Sequence, residues 1–212
     1  PITIFNSDGL EVEACGNGSR CVAKILCDEE KKDEIKIITS NRILNAKKIS
    51  DNDIKLEMGV PVFEWKKIPL SKDVDHKNIN LKINHMELKE GFAVNVGNPH
   101  VVFFVKDCFK YNLEEIGPII ENHELFPEKV NVTFAQIKDA KNILVNVWER
   151  GAGLTKACGT AACATGVAAF EKKLTGNNTN IHFKEGFLNI EYNGSISMTG
   201  PVSDIEKVRL KL

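Results

Sequence analysis

Cys15 and Cys158 each stand between an alanine and a glycine, in EACGNGSRC (13–21) and KACGTAAC (156–163). The residues around both are small, polar and glycine-rich, which suits a reactive thiol better than a core filler. If each segment opens a helix, the unpaired N–H groups and positive dipole end there favour a thiolate and can hold a substrate carboxylate. The glycine after each cysteine lets backbone come close to a ligand. Both thiols are therefore expected to be unusually acidic. The other cysteines, Cys21, Cys27, Cys108 and Cys163, read as packing residues. No C-x-x-C occurs, and the even gaps between Cys15, Cys21 and Cys27 spread thiols around a helix, so no metal site is expected. The glycine loops lack the Lys-Ser/Thr of a phosphate-binding loop.

Asn6 and Glu149 each end a strand-like run nine residues before their cysteine, with a glycine-containing loop between. Strand, polar loop, Cys-Gly and helix thus occur twice. A chain built from two similar halves places equivalent residues at a pseudo-twofold interface, where two thiols can face each other across a cleft. After Cys15, residues 18–28 read as a short helix with Cys21, Val22, Ile25 and Leu26 on one face. IKIIT, RILNAKKIS and IKLEMG read as strands, with SDND as a hairpin tip. Prolines and a polar stretch with Asp73, Asp75, His76 and Lys77 follow, which places a domain boundary at 59–61. MELKE, GFAVNVG, HVVFFV, VNVTFAQI and ILVNVWE read as strands. NLEEIGPIIEN reads as a helix interrupted at Gly117-Pro118. In GTAACATGVAAFEKK small residues leave almost no polar face in the first three turns, so this helix is expected to be surrounded by protein. NIHFKE, FLNIEYN, ISMTG and EKVRLKL close the chain as strands, with a hairpin signal at Asn193-Gly194.

The 212 residues, 42% of them hydrophobic, suffice for a substantial core. A net charge of -1 and a pI near 6.6 give no global field to attract nucleic acid or an anionic membrane. No apolar run reaches membrane-span length and no signal peptide is evident, so free thiols in a reducing cytoplasm are expected. PITIF begins inside a strand-like run without an initiator Met, and the chain is read as lacking upstream residues.

FNSDGLEVEACGNGSRC and WERGAGLTKACGTAACA resemble the two signature segments of the diaminopimelate epimerase family, and VGNPHVVFF (96–104) and ISMTGPV (196–202) resemble further family motifs in the same order. The resemblance runs over essentially the whole chain; relatives begin several tens of residues earlier. It implies an α/β (α+β) fold of two pseudo-symmetric domains, each a barrel-like, mostly antiparallel sheet around a central helix, with a cleft between them. The domains are expected at 1–59, completed by 205–212, and at 60–204. It implies cofactor-independent interconversion of LL- and meso-diaminopimelate, in lysine and peptidoglycan precursor biosynthesis, with Cys15 and Cys158 as thiolate and thiol. Inverting an α-carbon requires acid/base groups on opposite faces and shelter for the carbanion between them. No pyridoxal-phosphate lysine motif is evident, so the site must stabilise that charge itself.

By the same resemblance, backbone N–H groups at Gly16-Asn17 and Gly159-Thr160 hold the α-carboxylate. Asn6, Asn98 and Asn131 are substrate hydrogen-bonders. Glu149 and Arg150 bind the far amino-acid end or the α-amino group. His100 and Glu149 are candidates to set thiol protonation; a buried, hydrogen-bonded structural histidine is the equal alternative for His100. Leu154 and Ala161 depart from residues common in relatives, Glu and Gly respectively. The expected partners are a small amino-acid substrate and a second copy in a homodimer. The alternatives are another cofactor-independent racemase, such as a proline racemase, and a thiol-redox or binding protein. Arg150 suits a substrate with two amino-acid ends, and a redox protein leaves the asparagines unexplained.

Overall fold

The computed structural model describes residues 2–3, 16–39, 43–84 and 86–203. They divide into two units, one drawn from Pro1–Leu56 with Thr199–Leu212 and the other from Glu57–Met198. Asn6, Cys15 and the strand expected at 205–212 lie outside the described residues.

In the first unit helix α1 (Gly16–Glu30) packs on β1 (Glu34–Ile38) and β2 (Ile43–Lys48), and β2 pairs in turn with β3 (Asp53–Gly59), all antiparallel. The β2–β3 turn is closed by the Ser50 hydroxyl oxygen, which accepts from the amides of Asn52 and Asp53. The buried stripe of α1 differs from the expected one. It consists of Ser19, Arg20, Ala23, Lys24 and Cys27, while Cys21 is exposed and Val22, Ile25 and Leu26 are half-buried. Small Ala23 and Cys27 sit at the helix–sheet contact, where little side chain separates the backbones. Arg20 and Lys24 bury their stems and donate locally from their heads, Arg20 Nη2 to Asn17 Oδ1 at 2.9 Å and Lys24 Nζ to Asp28 at 2.9 Å. The packing role expected for Cys21 is therefore wrong, and those for Cys27, Cys108 and Cys163 hold, all three being buried.

The second unit carries β4 (Ile79–Ile83), β5 (Met86–Asn95), β6 (Pro99–Phe104), α2 (Leu113–Glu121), β7 (Asn131–Asp139), β8 (Asn142–Glu149), β9 (Gly153–Thr155), α3 (Gly159–Glu171), β10 (Asn178–Phe183) and β11 (Gly186–Tyr192), followed by β12 (Ile196–Pro201), which runs across the division. Strand order is β11-β10-β8-β7-β6-β5-β4, with β9 on β8. The pairs are antiparallel except β10–β8 and β6–β7. Among the described strands the sheet does not close on itself. α3 packs against β5, β6, β7, β10 and β11, and α2 against β4, β7, β8 and β9.

Side-chain alternation sorts the two faces. Val101, Phe103, Val132 and Phe134 join Ile116, Ile120 and Phe126 in the core beneath α2. His100, Val102, Asn131, Thr133, Val147 and Glu149 consequently point to the face that α3 occupies. β6 is covered on both sides, which explains its unbroken apolar run. α3 is buried from Gly159 to Ala169, as its small residues require.

Three details depart from expectation. MELKE and GFAVNVG form the one strand β5, because Glu90, at φ 56, makes a bulge instead of a break. α2 runs through Gly117-Pro118 without interruption. The carbonyl that Pro118 leaves without an N–H belongs to Glu114, an exposed residue, so the lost bond falls on the solvent side of the helix. β4 and β9 were not expected, although INLKI alternates buried and exposed as a strand should.

Candidate active site

Cys158 is the N-cap of α3, with extended backbone (φ -139, ψ 115), and its carbonyl accepts the first intrahelical bond from Ala162. The amides of Gly159 and Thr160 therefore open the helix without intrahelical acceptors. The sulfur is buried, 3.4 Å from Thr160 Oγ1. Burial pushes the Cys158 thiol well above its ordinary value and the Glu149 carboxylate adds to this, while the Thr160 hydroxyl and Ala161 amide oppose without offsetting it. The acidity expected from the helix start is thus reversed for this cysteine. A helix dipole contributes about 0.3–1 kcal/mol near a terminus, and removing a thiolate from water costs several times that.

Three strand ends supply the neighbouring groups. β6 and β7 run parallel with His100 opposite Asn131. Asn131 donates to the Pro99 carbonyl at 2.8 Å and accepts from the Arg150 amide at 2.9 Å, so most of its side chain is committed to holding backbone. His100 is wholly buried and bonds Asn98 Oδ1 through Nε2 at 2.9 Å. Burial, reinforced by the Arg150 charge, lowers its pKa to about 3. It is therefore a neutral imidazole that orients Asn98, with Nε2 as donor and no partner for Nδ1.

β8 and β9 face each other with Glu149 opposite Gly153, which leaves Arg150-Gly151-Ala152 as the turn. Ala152 N–H donates to the Glu149 carbonyl at 3.1 Å, and Gly151 takes the left-handed φ of +76. The Arg150 side chain is exposed and donates through Nη1 to the Glu128 carbonyl at 2.9 Å. Leu154 stands exposed opposite Trp148, and Ala161 is buried inside the first turn of α3.

The structure thus brings together Asn98, His100, Asn131, Glu149, Arg150, Cys158, Gly159 and Thr160 at one end of the second unit. Gly16 and Asn17 begin α1 in the first unit, directly after Cys15, and Asn17 Oδ1 is occupied by Arg20. Sequence reasoning missed Glu121. This buried α2 residue accepts from Trp148 Nε1 at 2.7 Å and from the Gly151 amide at 3.1 Å, with Lys129 Nζ at 3.7 Å. The available signal was its place on the apolar stripe Leu113, Ile116, Gly117 and Ile120, since a carboxylate on a buried face needs donors.

A family model described as diaminopimelate epimerase matches residues 92–205. A diaminopimelate epimerase of Pelagibacter ubique is 49% identical over 216 residues, a match covering all of this chain and 79% of that protein. One from the Wolbachia of Drosophila simulans is 42% identical over 201 residues, covering 94% of this chain and 76% of its own. Two solved structures share the fold. A hydroxyproline epimerase from Agrobacterium vitis has TM-score 0.65 and 13% identity, covering 93% of this chain and 67% of that one. A probable proline racemase from Agrobacterium radiobacter has TM-score 0.64 and 13% identity, covering 99% and 71%.

Proposed function

We propose that this chain, which belongs to the diaminopimelate epimerase family, interconverts LL- and meso-diaminopimelate by proton exchange at one α-carbon, with Cys158 as one of two acid/base groups. The observation that carries this is the setting of Cys158: a buried, protonated thiol at a helix start, beside a carboxylate and two amides without intrahelical acceptors.

Inversion removes a proton from one face of the carbon, leaves its electron pair there, and adds a proton to the other face. Cys158 enters as the thiol and delivers its proton, becoming a thiolate. Cys15, assigned from its repeat of the Ala-Cys-Gly motif, enters as thiolate and takes the departing proton. The reverse reaction exchanges the roles, and no electron is gained or lost. The amides of Gly159 and Thr160, and by repetition those of Gly16 and Asn17, receive the α-carboxylate and stabilise the charge that spreads onto it. Burial of the Cys158 end keeps water from the carbanion. Glu149 and Arg150 take the amino and carboxylate groups that the two ends of the substrate offer. Asn6, Asn98 and the remaining Asn131 N–H complete the hydrogen bonding. His100, neutral at physiological pH, serves through Asn98 and not as a proton carrier. The chemistry uses no cofactor. The reading extends to a homodimer and to a reducing cytoplasm.

Release of α-tritium from labelled diaminopimelate tests the assignment. Cys158→Ala should lower the rate by at least about 100-fold, the low end of what a positioned acid contributes. A Cys158→Ala protein turning over near the parent rate, or a parent that prefers proline, would sink it.

A further inference from the structure

We propose that Glu121 is a positioning residue for this reaction, fixing the turn that presents Glu149 and Arg150; the proposal rests on the reading that these two meet the substrate. Helix α2 offers Gly117 and Glu121, one turn apart, to the same indole. Gly117 brings the helix backbone onto the Trp148 ring, where a Cβ would lie 2.5 Å from Cδ2. Glu121 then takes the indole N–H on Oε2 and the Gly151 amide on Oε1, at 2.7 and 3.1 Å. Its side chain is 7% exposed. The two donors flank Glu149 and Arg150 in the chain, so one carboxylate spans both ends of the segment. From the other side Asn131 Oδ1 holds the Arg150 amide. Among the described residues the Arg150 side chain donates to one backbone carbonyl, that of Glu128, and it stands exposed. Its aim is therefore set by its backbone, and Glu121 and Asn131 set that backbone.

The site demands a carboxylate specifically. Each oxygen accepts from one N–H, with the Lys129 ammonium also 3.7 Å from Oε1, and an amide in its place would turn an NH2 group toward one of the donors, leaving that donor unpaired in a buried position. Glutamine, nearly identical in shape, is for that reason the informative substitution.

In the full-length protein, Glu121→Gln should raise KM for diaminopimelate on the order of tenfold with a smaller change in kcat. On a Trp65→Phe background, which leaves Trp148 as the one tryptophan of these 212 residues, the same substitution should shift the emission of that indole. Because Glu121 acts through the turn, adding Glu121→Gln to Arg150→Ala should raise KM by less than it does in the parent, since only the part that acts through Glu149 remains. Costs that multiply in the double variant, or a Glu121→Gln KM within about twofold of the parent, overturn the proposal. If Glu121→Gln does not fold, Trp148→Phe removes one of the two donors and should raise KM less, an increment that must also shrink beside Arg150→Ala. Arg150→Ala with unchanged KM refutes the site reading itself, and the proposal with it.

Discussion

Gly117→Ala sets two opposed effects against each other at one position. Alanine is favoured over glycine inside a helix by about 1 kcal/mol. The added methyl would stand 2.5 Å from Trp148 Cδ2, 2.6 Å from Cγ and 2.9 Å from Cε3. Carbon atoms settle at about 3.5–4.0 Å, so the ring must retreat by roughly 1 Å. It cannot swing away as a flexible chain end would, because the methyl meets the middle of the indole and the far side is held by Glu121. Overpacking of this kind costs about 1–3 kcal/mol, and stretching a hydrogen bond to a charged acceptor adds to it by about 1 kcal/mol or more. The net expectation is a loss of about 1–3 kcal/mol. For a chain of this size that lowers Tm by roughly 2–12 °C. Circular-dichroism melts of Gly117→Ala and of the control Gly176→Ala, whose methyl meets open space, make the comparison. A Gly117→Ala protein melting at or above the parent would show that the ring yields freely and that the contact is ordinary packing.

Two further outcomes follow from titrating groups. His100 is held neutral to about pH 3 in the folded chain, whereas an unfolded histidine titrates near 6.5. Between those values the unfolded chain takes up a proton that the folded chain refuses. Stability is therefore full above about pH 6.5 and falls by up to about 1.4 kcal/mol per pH unit below it. Urea midpoints at pH 7 and pH 5 should separate the parent from His100→Gln by this slope, and identical slopes would exclude His100 as its source. Brief iodoacetamide treatment at neutral pH should label exposed Cys21 while sparing buried Cys108, Cys158 and Cys163 until the chain unfolds. Peptide mapping that finds Cys158 modified ahead of Cys21 would contradict its assignment as a sheltered thiol.

The two Ala-Cys-Gly segments and the small-residue helix were legible because they are local: composition and spacing within twenty residues carry them. What escaped depends on partners distant in the chain. The face that α1 buries follows from how closely the sheet approaches Ala23 and Cys27, which hydrophobic periodicity does not encode, and the long stems of Arg20 and Lys24 fill the stripe. Glu121 lies about thirty residues from the turn it holds and belongs to no motif. The thiol of Cys158 illustrates two competing terms. The helix start is visible in sequence and argues for acidity, but burial outweighs it, and the charge of Glu149 adds to burial; both come from the fold around the cysteine. β9 is three residues long and exists only by pairing with β8.

The eleven buried residues of α3 from Gly159 to Ala169 include nothing larger than Val167. Where Gly166 passes β11, a methyl would already lie 2.7 Å from Ile190 Cγ2. The helix therefore rests against its walls nearly backbone to side chain, with no space for even one added carbon at Gly166. Repulsion rises far more steeply with distance than dispersion falls, so such a seat has little room to drift or to redistribute volume. An interior lined with leucines could absorb a slight shift by exchanging rotamers; this one has almost no rotamers to exchange. The sulfur at its first turn inherits that stiffness, and its position is fixed by exclusion.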